Sequence, residues 1–409
     1  MYLLGALGFF LALMLSVVLH EGGHFLTARH YGMKATQFFA GFGPTVFSFR
    51  RGETEYGLKA VPAGGFVKIV GMTPLEEVEP GDEERAFYRQ PVRRKVVVLA
   101  AGSTVHFVIA VVLVLGSALT IGVAKEGAPQ VGALAQCVAP DPLPGAAAAA
   151  PTGCDAPGAV PAPAAAAGLQ VGDTVLAVDG TPVEDSLALG RALRAAPGRQ
   201  VVLTVQRAGA SMDVPVTPAA VERQDLEGTG RQVAGTIGIS QRVQLETEHL
   251  PFGEAVRASG SQLVLYVQGI KATVTEKLGT ITKLYSPDRD PEGFVGVVGA
   301  GRLSGETLTR DWSTGYKALL LISIVAGLNL FVGLFNLLPL LPLDGGHIAV
   351  ALYEGARDKI RRLRGYRGPF QRVDYNKLLP LTYAVAGTFL VLTLFILGAD
   401  LVNPIRLPS

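Results

Sequence analysis

The chain has 409 residues, of which 49% are hydrophobic and only 17% charged, and its mean hydropathy is +0.36. This balance predicts a membrane protein with a sizeable soluble portion. A net charge of +2, without basic clusters interleaved with aromatic residues, gives no indication of nucleic-acid binding.

Four apolar runs are each long enough to cross a bilayer as a helix. They cover residues 1–19, 96–124, 318–343 and 378–399, and none contains Asp, Glu, Lys or Arg. No Lys or Arg precedes Arg29, so the basic region of a signal peptide is missing, which favours a retained helix over a cleaved signal peptide. We therefore expect a polytopic α-helical membrane protein with four transmembrane helices.

The basic residues predict the orientation of these helices. Segment 27–95 carries eleven Lys and Arg residues and segment 355–377 carries eight, whereas the much longer segment 125–315 carries fifteen. The positive-inside rule therefore places 27–95 and 355–377 in the cytoplasm, and 125–315 and both termini outside. Cys137 and Cys154 both fall in the external segment, so we predict a disulfide between them, with two free thiols as the alternative.

The first helix ends in the sequence His20-Glu21-Gly22-Gly23-His24. Histidines four residues apart lie on one face of a helix, so both imidazoles can bind one metal ion, with Glu21 beside them to accept a proton from water. Two hydrogen-bonded polar histidines are the alternative. Three ionisable groups at the end of a lipid-length segment need one another or a metal, so we predict a membrane-embedded Zn²⁺ site.

Residues 38–44 are apolar but interrupted by Gly and Pro, and they precede predicted strands at 45–49, 55–61 and 65–70 with a turn at 51–53. Irregular apolar backbone at membrane depth must be buried by protein or line a cavity. We expect a membrane-reentrant β-hairpin whose free strand edge pairs with an extended peptide, with Gly41, Phe42 and Gly43 as substrate contacts. A small cytosolic sheet without a substrate role is the alternative. Residues 72–95, first acidic and then basic, predict a solvated loop.

The second apolar run contains Gly102-Ser103-Thr104-Val105-His106. An imidazole inside an apolar run needs a partner, and we favour a hydrogen-bonded structural role for His106 over one that supports the metal site.

The third apolar run ends in the sequence Asn336-LLPLLPL-Asp344-GG-His347. Its two prolines break the helix within the apolar region. Helices one and three run in the same direction, so their C-terminal ends meet, and Asp344 is the best third zinc ligand. His347 is a weaker candidate. Asn336 is our candidate for donating its amide to the scissile carbonyl or holding the substrate backbone.

The external segment begins with an Ala/Pro-rich stretch, with thirteen Ala and seven Pro in residues 139–168, which predicts a linker. The following sequence, Gly168-Leu169-Gln170-Val171-Gly172-Asp173, then an alternating strand and an Asp-Gly turn, resembles a PDZ domain of α/β type. A helix at 184–196 and strands at 200–217 complete it. PDZ domains bind peptides by strand addition, and a domain that only occludes or spaces is the alternative.

We expect the following segments. They are helix one at 1–30, the hairpin and loop at 31–95, helix two at 96–124, the PDZ domain with its insert at 125–222, a connector with an amphipathic stretch near 254–284 at 223–316, helix three at 317–354, a basic loop at 355–377, and helix four with its tail at 378–409.

Together these residues resemble the site-2 protease family of intramembrane zinc metalloproteases, in its branch of regulator of sigma-E proteases of the mycobacterial type. The resemblance covers nearly the whole chain, and the motifs that carry it are HEGGH at 20–24, GFGP at 41–44, GETEY at 52–56, VPAGGF at 61–66, the PDZ module, LDGGH at 343–347 and VNPIR at 402–406.

The resemblance implies that His20, His24 and Asp344 bind Zn²⁺, that Glu21 is catalytic and that Asn336 contacts substrate. It also implies that the substrates are single-pass membrane proteins, namely anti-sigma factors already trimmed outside and remnant signal peptides, cut within the lipid bilayer of a bacterial plasma membrane. The family has Gly-Pro-x-x-Asn where this chain has residues 102–106, which leaves the role of His106 open.

We therefore expect an intramembrane zinc endopeptidase. A non-catalytic membrane scaffold built on the PDZ module is the alternative, but the intact Glu21 and three metal ligands argue against it. A metal transporter would need a chain of polar groups across the helices, which this sequence lacks.

Overall fold

The structure, a computed structural model, describes residues 1–72, 78–141, 153–225, 230–287, 289–290 and 293–405. Residues 73–77 of the predicted solvated loop, residues 142–152 of the Ala/Pro-rich stretch and Arg406 lie outside the described residues. The chain forms two compact units. The first comprises Met1–Val123, His249–Asp311 and Lys317–Ser409, and the second comprises Ala124–Glu248 and Trp312–Tyr316.

The first unit begins with two long apolar helices that enclose a β-hairpin in sequence. Its elements are α1 (Tyr2–His30), β1 (Ala35–Arg51), β2 (Thr54–Ile69) and α2 (Val92–Thr120). Gly23 of α1 lies so close to α2 that a β-carbon there would approach the Ala101 carbonyl oxygen to 2.8 Å. Small residues allow such close approach of membrane helices.

Both strands of the hairpin bend, so that it forms four short strands. The first part of β1 pairs with β2 on both sides, since Phe38 lies opposite both Val67 and Tyr56. The predicted turn near residue 52 is confirmed, but the prediction that the first strand begins at Thr45 is wrong. Gly41 and Gly43 have positive φ values of 88° and 82°, which let the strand bend at these positions instead of ending there.

The second unit is built on a six-stranded sheet. Its elements are β3 (Val123–Glu126), β4 (Gln130–Leu134), β5 (Cys137–Val138), β6 (Val160–Pro161), α3 (Pro163–Ala166), β7 (Thr174–Val178), β8 (Thr181–Pro182), α4 (Ser186–Arg194), β9 (Val201–Arg207), β10 (Ala210–Val216), β11 (Ala219–Gln224), β12 (Arg231–Thr236), β13 (Ile239–Arg242) and β14 (Leu245–Glu248). The strands of the main sheet follow the order β10-β9-β7-β4-β13, with β8 paired to β7. Asp185 caps α4 by accepting a hydrogen bond from Ala188 N at 2.6 Å.

Two features of the second unit differ from the sequence predictions. The sheet unit continues to Glu248, because β13 pairs with β4. The strands β12, β13 and β14 therefore belong to this unit and not to the predicted connector, which was expected to begin at residue 223. The Ala/Pro-rich stretch is not a linker in its second half, since Ala164 of α3 is fully buried in the core of the unit. The predicted disulfide between Cys137 and Cys154 is confirmed.

The further α-helices in the described part of the chain are α5 (Phe252–Thr275), α6 (Val297–Thr309), α7 (Thr314–Asn336), α8 (Asp344–Leu363) and α9 (Leu379–Val402). By length and composition, α1, α2, α7 and α9 can cross a membrane, which agrees with the four predicted helices. The predicted third helix at 317–354 is two helices. The first ends at Asn336, before the two prolines, and the second begins at Asp344. Helix α8 also occupies much of the predicted basic loop.

Buried polar groups fix the end of α9. Asp400 accepts hydrogen bonds from Arg289 and from the backbone N–H groups of Gly296 and Gly299, each at 2.9 Å. The amide of Asn403 donates to the carbonyl oxygens of Leu284 and Ser286. The Asn-Pro tail motif therefore ties the segment before α6 to the last membrane helix.

Candidate active site

Three side chains from two helices meet at one point of the first unit. His20 and His24 lie one turn apart on α1, and their Nε2 atoms are 3.1 Å from each other. The Oδ2 atom of Asp344, the first residue of α8, is 3.5 Å from His20 Nε2 and 3.3 Å from His24 Nε2. The two imidazoles are buried, and Asp344 is mostly so.

The spacing of these three donor atoms suits a zinc ion. A tetrahedral ion with bonds of about 2.0–2.1 Å holds its ligand atoms about 3.3–3.4 Å apart, and two imidazole nitrogens with one carboxylate oxygen form a typical catalytic set. Asp344 Oδ2 is buried but accepts no hydrogen bond from the described residues, which a bound cation would remedy.

Helix α2 forms one wall of this site and leaves room for it at Gly102. A β-carbon at Gly102 would come within 2.5 Å of His20 Cε1 and His24 Nε2. The Nδ1 atom of His24 lies 2.7 Å from the carbonyl oxygen of Val98, also on α2. A ligating histidine is commonly oriented in this way, with the hydrogen bond at one nitrogen and the metal at the other.

Two glycines bring Asp344 into place. A β-carbon at Gly346 would meet the backbone of Leu340 and Leu341 at 2.5 Å, and one at Gly345 would overlap the carbonyl groups of Leu337 and Leu338. The first turn of α8 therefore packs directly on the chain that follows α7. This close return explains why two glycines follow the aspartate.

The end of β2 lies beside Glu21. A β-carbon at Gly65 would be 3.3 Å from Glu21 Cγ. Residues 65–69 pair with β1 on one side only. Among the described strands, none covers their other edge, so a backbone-pairing edge lies next to the candidate general base.

The residues predicted to contact substrate lie in β1 and at the end of α7. Phe42 is 45% exposed and stacks on Phe66, with ring centroids 6.2 Å apart. Gly41 and Gly43 flank it in β1. Asn336 is the last residue of α7 and is half-buried.

His347 is not among the clustered donor atoms found in the described part of the chain. Its ring stacks on that of Tyr375, with centroids 6.2 Å apart. Burial lowers the pKa of His347 and raises the pKa of Tyr375 to about 12, so both side chains are neutral near pH 7. His30, at the end of the helix that carries His20 and His24, is exposed.

Sequence reasoning missed three residues that shape the site, namely Val98, Gly102 and Asn329. Val98 and Gly102 gave no signal, because their roles depend on which face of α2 meets α1. Asn329 did give one, as a polar side chain within an apolar run. The structure places its Oδ1 atom 2.8 Å from Nδ1 of His106.

Four helices of membrane-spanning length, a His-His-Asp set with zinc spacing and an adjacent glutamate define the class of membrane-embedded metallopeptidases. The comparisons with known proteins agree. The chain belongs to peptidase family M50, whose model matches residues 8–369.

Named relatives extend the likeness over the full length. The chain is 38% identical to the zinc metalloprotease Rip1 of Mycobacterium tuberculosis, in an alignment covering 100% of this chain and 99% of that protein. It is 37% identical to the zinc metalloprotease Rip1 of Mycolicibacterium smegmatis with the same coverage. A putative zinc metalloprotease of Nostoc, all3971, is 28% identical over 84% of each chain. The chain is therefore a multi-pass membrane zinc metalloendopeptidase of the site-2 protease family, which confirms the predicted enzyme class and the Zn²⁺ cofactor.

Proposed function

We propose that the enzyme hydrolyses peptide bonds within the transmembrane segments of single-pass membrane proteins. In this proposal His20, His24 and Asp344 hold the zinc ion, and Glu21 is the general base. The observation that carries it is the triangle of donor atoms 3.1–3.5 Å apart, formed by helices of a membrane protein with Glu21 beside them.

The chain's own residues have separate tasks in this reaction. A bound zinc ion would polarise the scissile carbonyl and make water a better nucleophile. Glu21 accepts the proton of the attacking water and delivers it to the leaving amine. His24 is held by the Val98 carbonyl, and the buried surroundings of both histidines exclude bulk water.

We further propose that β1 and β2 form a membrane-reentrant hairpin that holds the substrate in an extended form. A transmembrane helix must unwind before its backbone reaches the catalytic groups, and its freed N–H and C=O groups then need partners in an apolar setting. The edge at residues 65–69 supplies such partners next to Glu21. Phe42, between Gly41 and Gly43, offers an exposed apolar contact for substrate side chains, and Asn336 is a further candidate to hold the substrate backbone.

We propose that the second unit is a PDZ domain on the extracytoplasmic side, with both chain termini on that side of a bacterial plasma membrane. The distribution of basic residues supports this orientation. In support of the PDZ assignment, a groove of about 130 Å³ is lined by α4, by the end of β12 and by the edge strand β13, with Gly190, Leu193, Thr236 and Ile239 among its residues. An edge strand facing a helix is the arrangement that accepts a peptide as an added strand.

For the substrates we propose anti-sigma factors that have already lost their outer domains, and remnant signal peptides. Both are single membrane-spanning segments with little bulk outside the membrane. Cleavage of the first kind releases the cytoplasmic part of the substrate, as in regulated intramembrane proteolysis.

The test uses full-length enzyme purified in detergent and a trimmed single-pass substrate. Wild type should contain about one zinc per chain and cleave within the apolar segment. Glu21→Gln should keep the zinc but lose at least about 10²–10⁴-fold in rate, because only the proton acceptor is removed. His24→Ala should lose zinc, whereas His30→Ala, which changes an exposed histidine on the same helix, should retain both zinc and rate. Turnover near wild type in Glu21→Gln would contradict the proposed mechanism.

A further inference from the structure

A buried polar network joins three membrane helices next to the candidate zinc site. His106 of α2 and Asn329 of α7 meet through Nδ1 and Oδ1 at 2.8 Å. The Asn329 amide also lies 3.1 Å from Ser16 Oγ of α1 and 2.8 Å from the Val325 carbonyl oxygen. His106, Asn329 and Ser16 are 3%, 2% and 4% exposed. Polar groups this deep in apolar helices bind one another because no water is available.

The hydrogen bonds of Asn329 determine the ring orientation of His106 and which of its nitrogens carries the donated proton. The Val325 carbonyl can only accept, so the atom facing it must be Nδ2 of Asn329, and Oδ1 must face His106. The imidazole of His106 therefore carries a proton on Nδ1 and donates it to Asn329. Its ring cannot turn over without leaving Oδ1 of Asn329 unpaired in an apolar environment, which costs about 1–3 kcal/mol.

The two candidate zinc-binding histidines are held in different ways. His24 is oriented by its hydrogen bond to Val98. His20 has no such restraint, since its Nδ1 atom is buried against Gly102 and makes no hydrogen bond with the described residues. Two rings lie against the His20 ring. One is that of its fellow ligand His24, with centroids 4.8 Å apart, and the other is that of His106, with centroids 4.9 Å apart and planes at 42°. Aromatic rings at this separation are in packing contact.

We propose that His106 and Asn329 are positioning residues for the zinc site. Asn329 fixes the ring of His106, and the ring of His106 packs against the imidazole of His20 and keeps it in its metal-binding orientation. The network thus replaces the hydrogen bond that a ligating histidine usually makes from its second nitrogen. This inference rests on the proposed role of His20 as a zinc ligand.

Through this ring contact, His106 affects metal binding without being a metal ligand itself. It lies outside the donor set formed by His20, His24 and Asp344, so its removal leaves all three proposed ligands in the chain. Without His106 the His20 ring is freer to rotate, and this changes the affinity for the metal and the geometry of its ligands. Loss of such supporting partners typically lowers metal affinity about 10–100-fold.

The experiment measures metal binding by the full-length protein in detergent. Zinc affinity is obtained by competition with a chromophoric chelator, and the visible absorption of the cobalt-substituted protein reports the geometry of the ligands. Four variants are compared with wild type: His106→Ala, His106→Phe, Asn329→Leu and, as the matched control, Ser16→Ala. Thermal unfolding of each apo-protein separates loss of folding from loss of metal binding.

We expect His106→Ala and Asn329→Leu to lower zinc affinity about 10–100-fold and to change the cobalt spectrum. His106→Phe keeps a ring against His20 and should stay closer to wild type than His106→Ala. Ser16→Ala should bind zinc as wild type does, because Asn329 keeps its bonds to Val325 and His106.

Two results would overturn the inference. One is wild-type zinc affinity and an unchanged cobalt spectrum in His106→Ala, whatever happens to its unfolding temperature. The other is an equal loss of affinity in His106→Phe and His106→Ala, which would rule out ring packing as the cause. A wild-type protein that binds no zinc would instead contradict the proposed ligand set, so the two failures are distinguishable.

Discussion

The Nδ1 atom of His24 on α1 donates a hydrogen bond to the carbonyl oxygen of Val98 on α2, across 2.7 Å. This bond leaves His24 Nε2 free on the side where His20 and Asp344 present their donor atoms. It also brings α2 against the site, so that the next turn of α2 carries Gly102 directly beneath both imidazoles. Helix α2 therefore shapes the metal centre although it supplies none of its three donors.

The first prediction follows from this contact. Gly102→Ala would place a β-carbon within 2.5 Å of His20 Cε1 and His24 Nε2, so the two rings must move. We expect zinc affinity to fall at least about 10–100-fold, as when supporting groups of a metal site are lost. Gly116→Ala is the matched control, because it lies on the same helix with open space around it and should change stability by no more than about 1 kcal/mol. Wild-type zinc binding by Gly102→Ala would show that α2 does not lie against the ligands.

The second prediction distinguishes the two candidates for the third ligand. Asp344→Ala should reduce zinc affinity by more than about 100-fold, because loss of supporting groups alone costs up to that amount. His347→Ala should leave zinc binding within a few-fold of wild type, since its ring packs on Tyr375 apart from the donor set. Zinc content after gel filtration at a fixed chelator concentration measures both. The assignment fails if the two variants behave in the reverse way.

The third prediction concerns pH and the second unit. Arg207 forms two hydrogen bonds with Asp173, at 2.7 Å and 2.6 Å, which hold the pKa of this buried carboxyl below its usual value. Because the folded pKa is lower than the unfolded pKa of about 3.9, the stabilisation is complete above that pH and is lost as pH falls through the folded pKa. The unit should therefore lose stability progressively on acidification below about pH 4.

Asp173→Asn should remove this part of the pH dependence and lower stability near neutral pH by about 1.5–3 kcal/mol, as expected for hydrogen bonds to a charged group. Trp312 is the only tryptophan of the chain and belongs to the second unit, so its fluorescence follows unfolding there. Asp213→Asn, which changes an exposed carboxylate of the same sheet, is the control and should retain the wild-type acid response. An unaltered acid response in Asp173→Asn would disprove the assignment.

The sequence predicts the site residues that are close together in the chain, but not those whose role depends on how the helices pack. His20, Glu21 and His24 lie within two helical turns, so their spacing alone predicts their proximity. To predict that Asp344 lies near these residues, only the direction of each membrane helix was needed. The contacts of Gly102 and Asn329, in contrast, depend on the rotation of α2 and α7 about their axes. The polar side chain of Asn329 marks it as unusual within its apolar run, but the sequence does not say which residue it faces.

Composition misled in two other places for physical reasons. Gly41 and Gly43 look like strand breakers, but at positive φ they let β1 bend while it keeps its pairing. The alanines near Ala164 look like low-complexity linker, but a methyl side chain is small enough to pack against a sheet with little loss of entropy. The number and approximate position of the four membrane helices needed no tertiary information, since length and apolarity determine them.

The last prediction concerns the role of the second unit in substrate access. All described donor atoms of the candidate site lie in the first unit, so the second unit contributes by admitting or recruiting substrates. It can be removed cleanly, because Gly127 N donates to the Gln244 carbonyl at 2.8 Å, and a short Gly/Ser linker can therefore join Glu126 to Leu245. We expect this deletion to retain zinc and to cleave a single-pass substrate that still carries its outer domain, which wild type should reject.

A second variant, Gly190→Phe, fills the groove between α4 and β13 from a position with open space around it. If the unit filters by size, Gly190→Phe should behave as wild type toward both trimmed and untrimmed substrates. If Gly190→Phe or the deletion loses cleavage of the trimmed substrate while zinc is retained, the unit recruits peptides through its groove and the size-filter prediction is wrong.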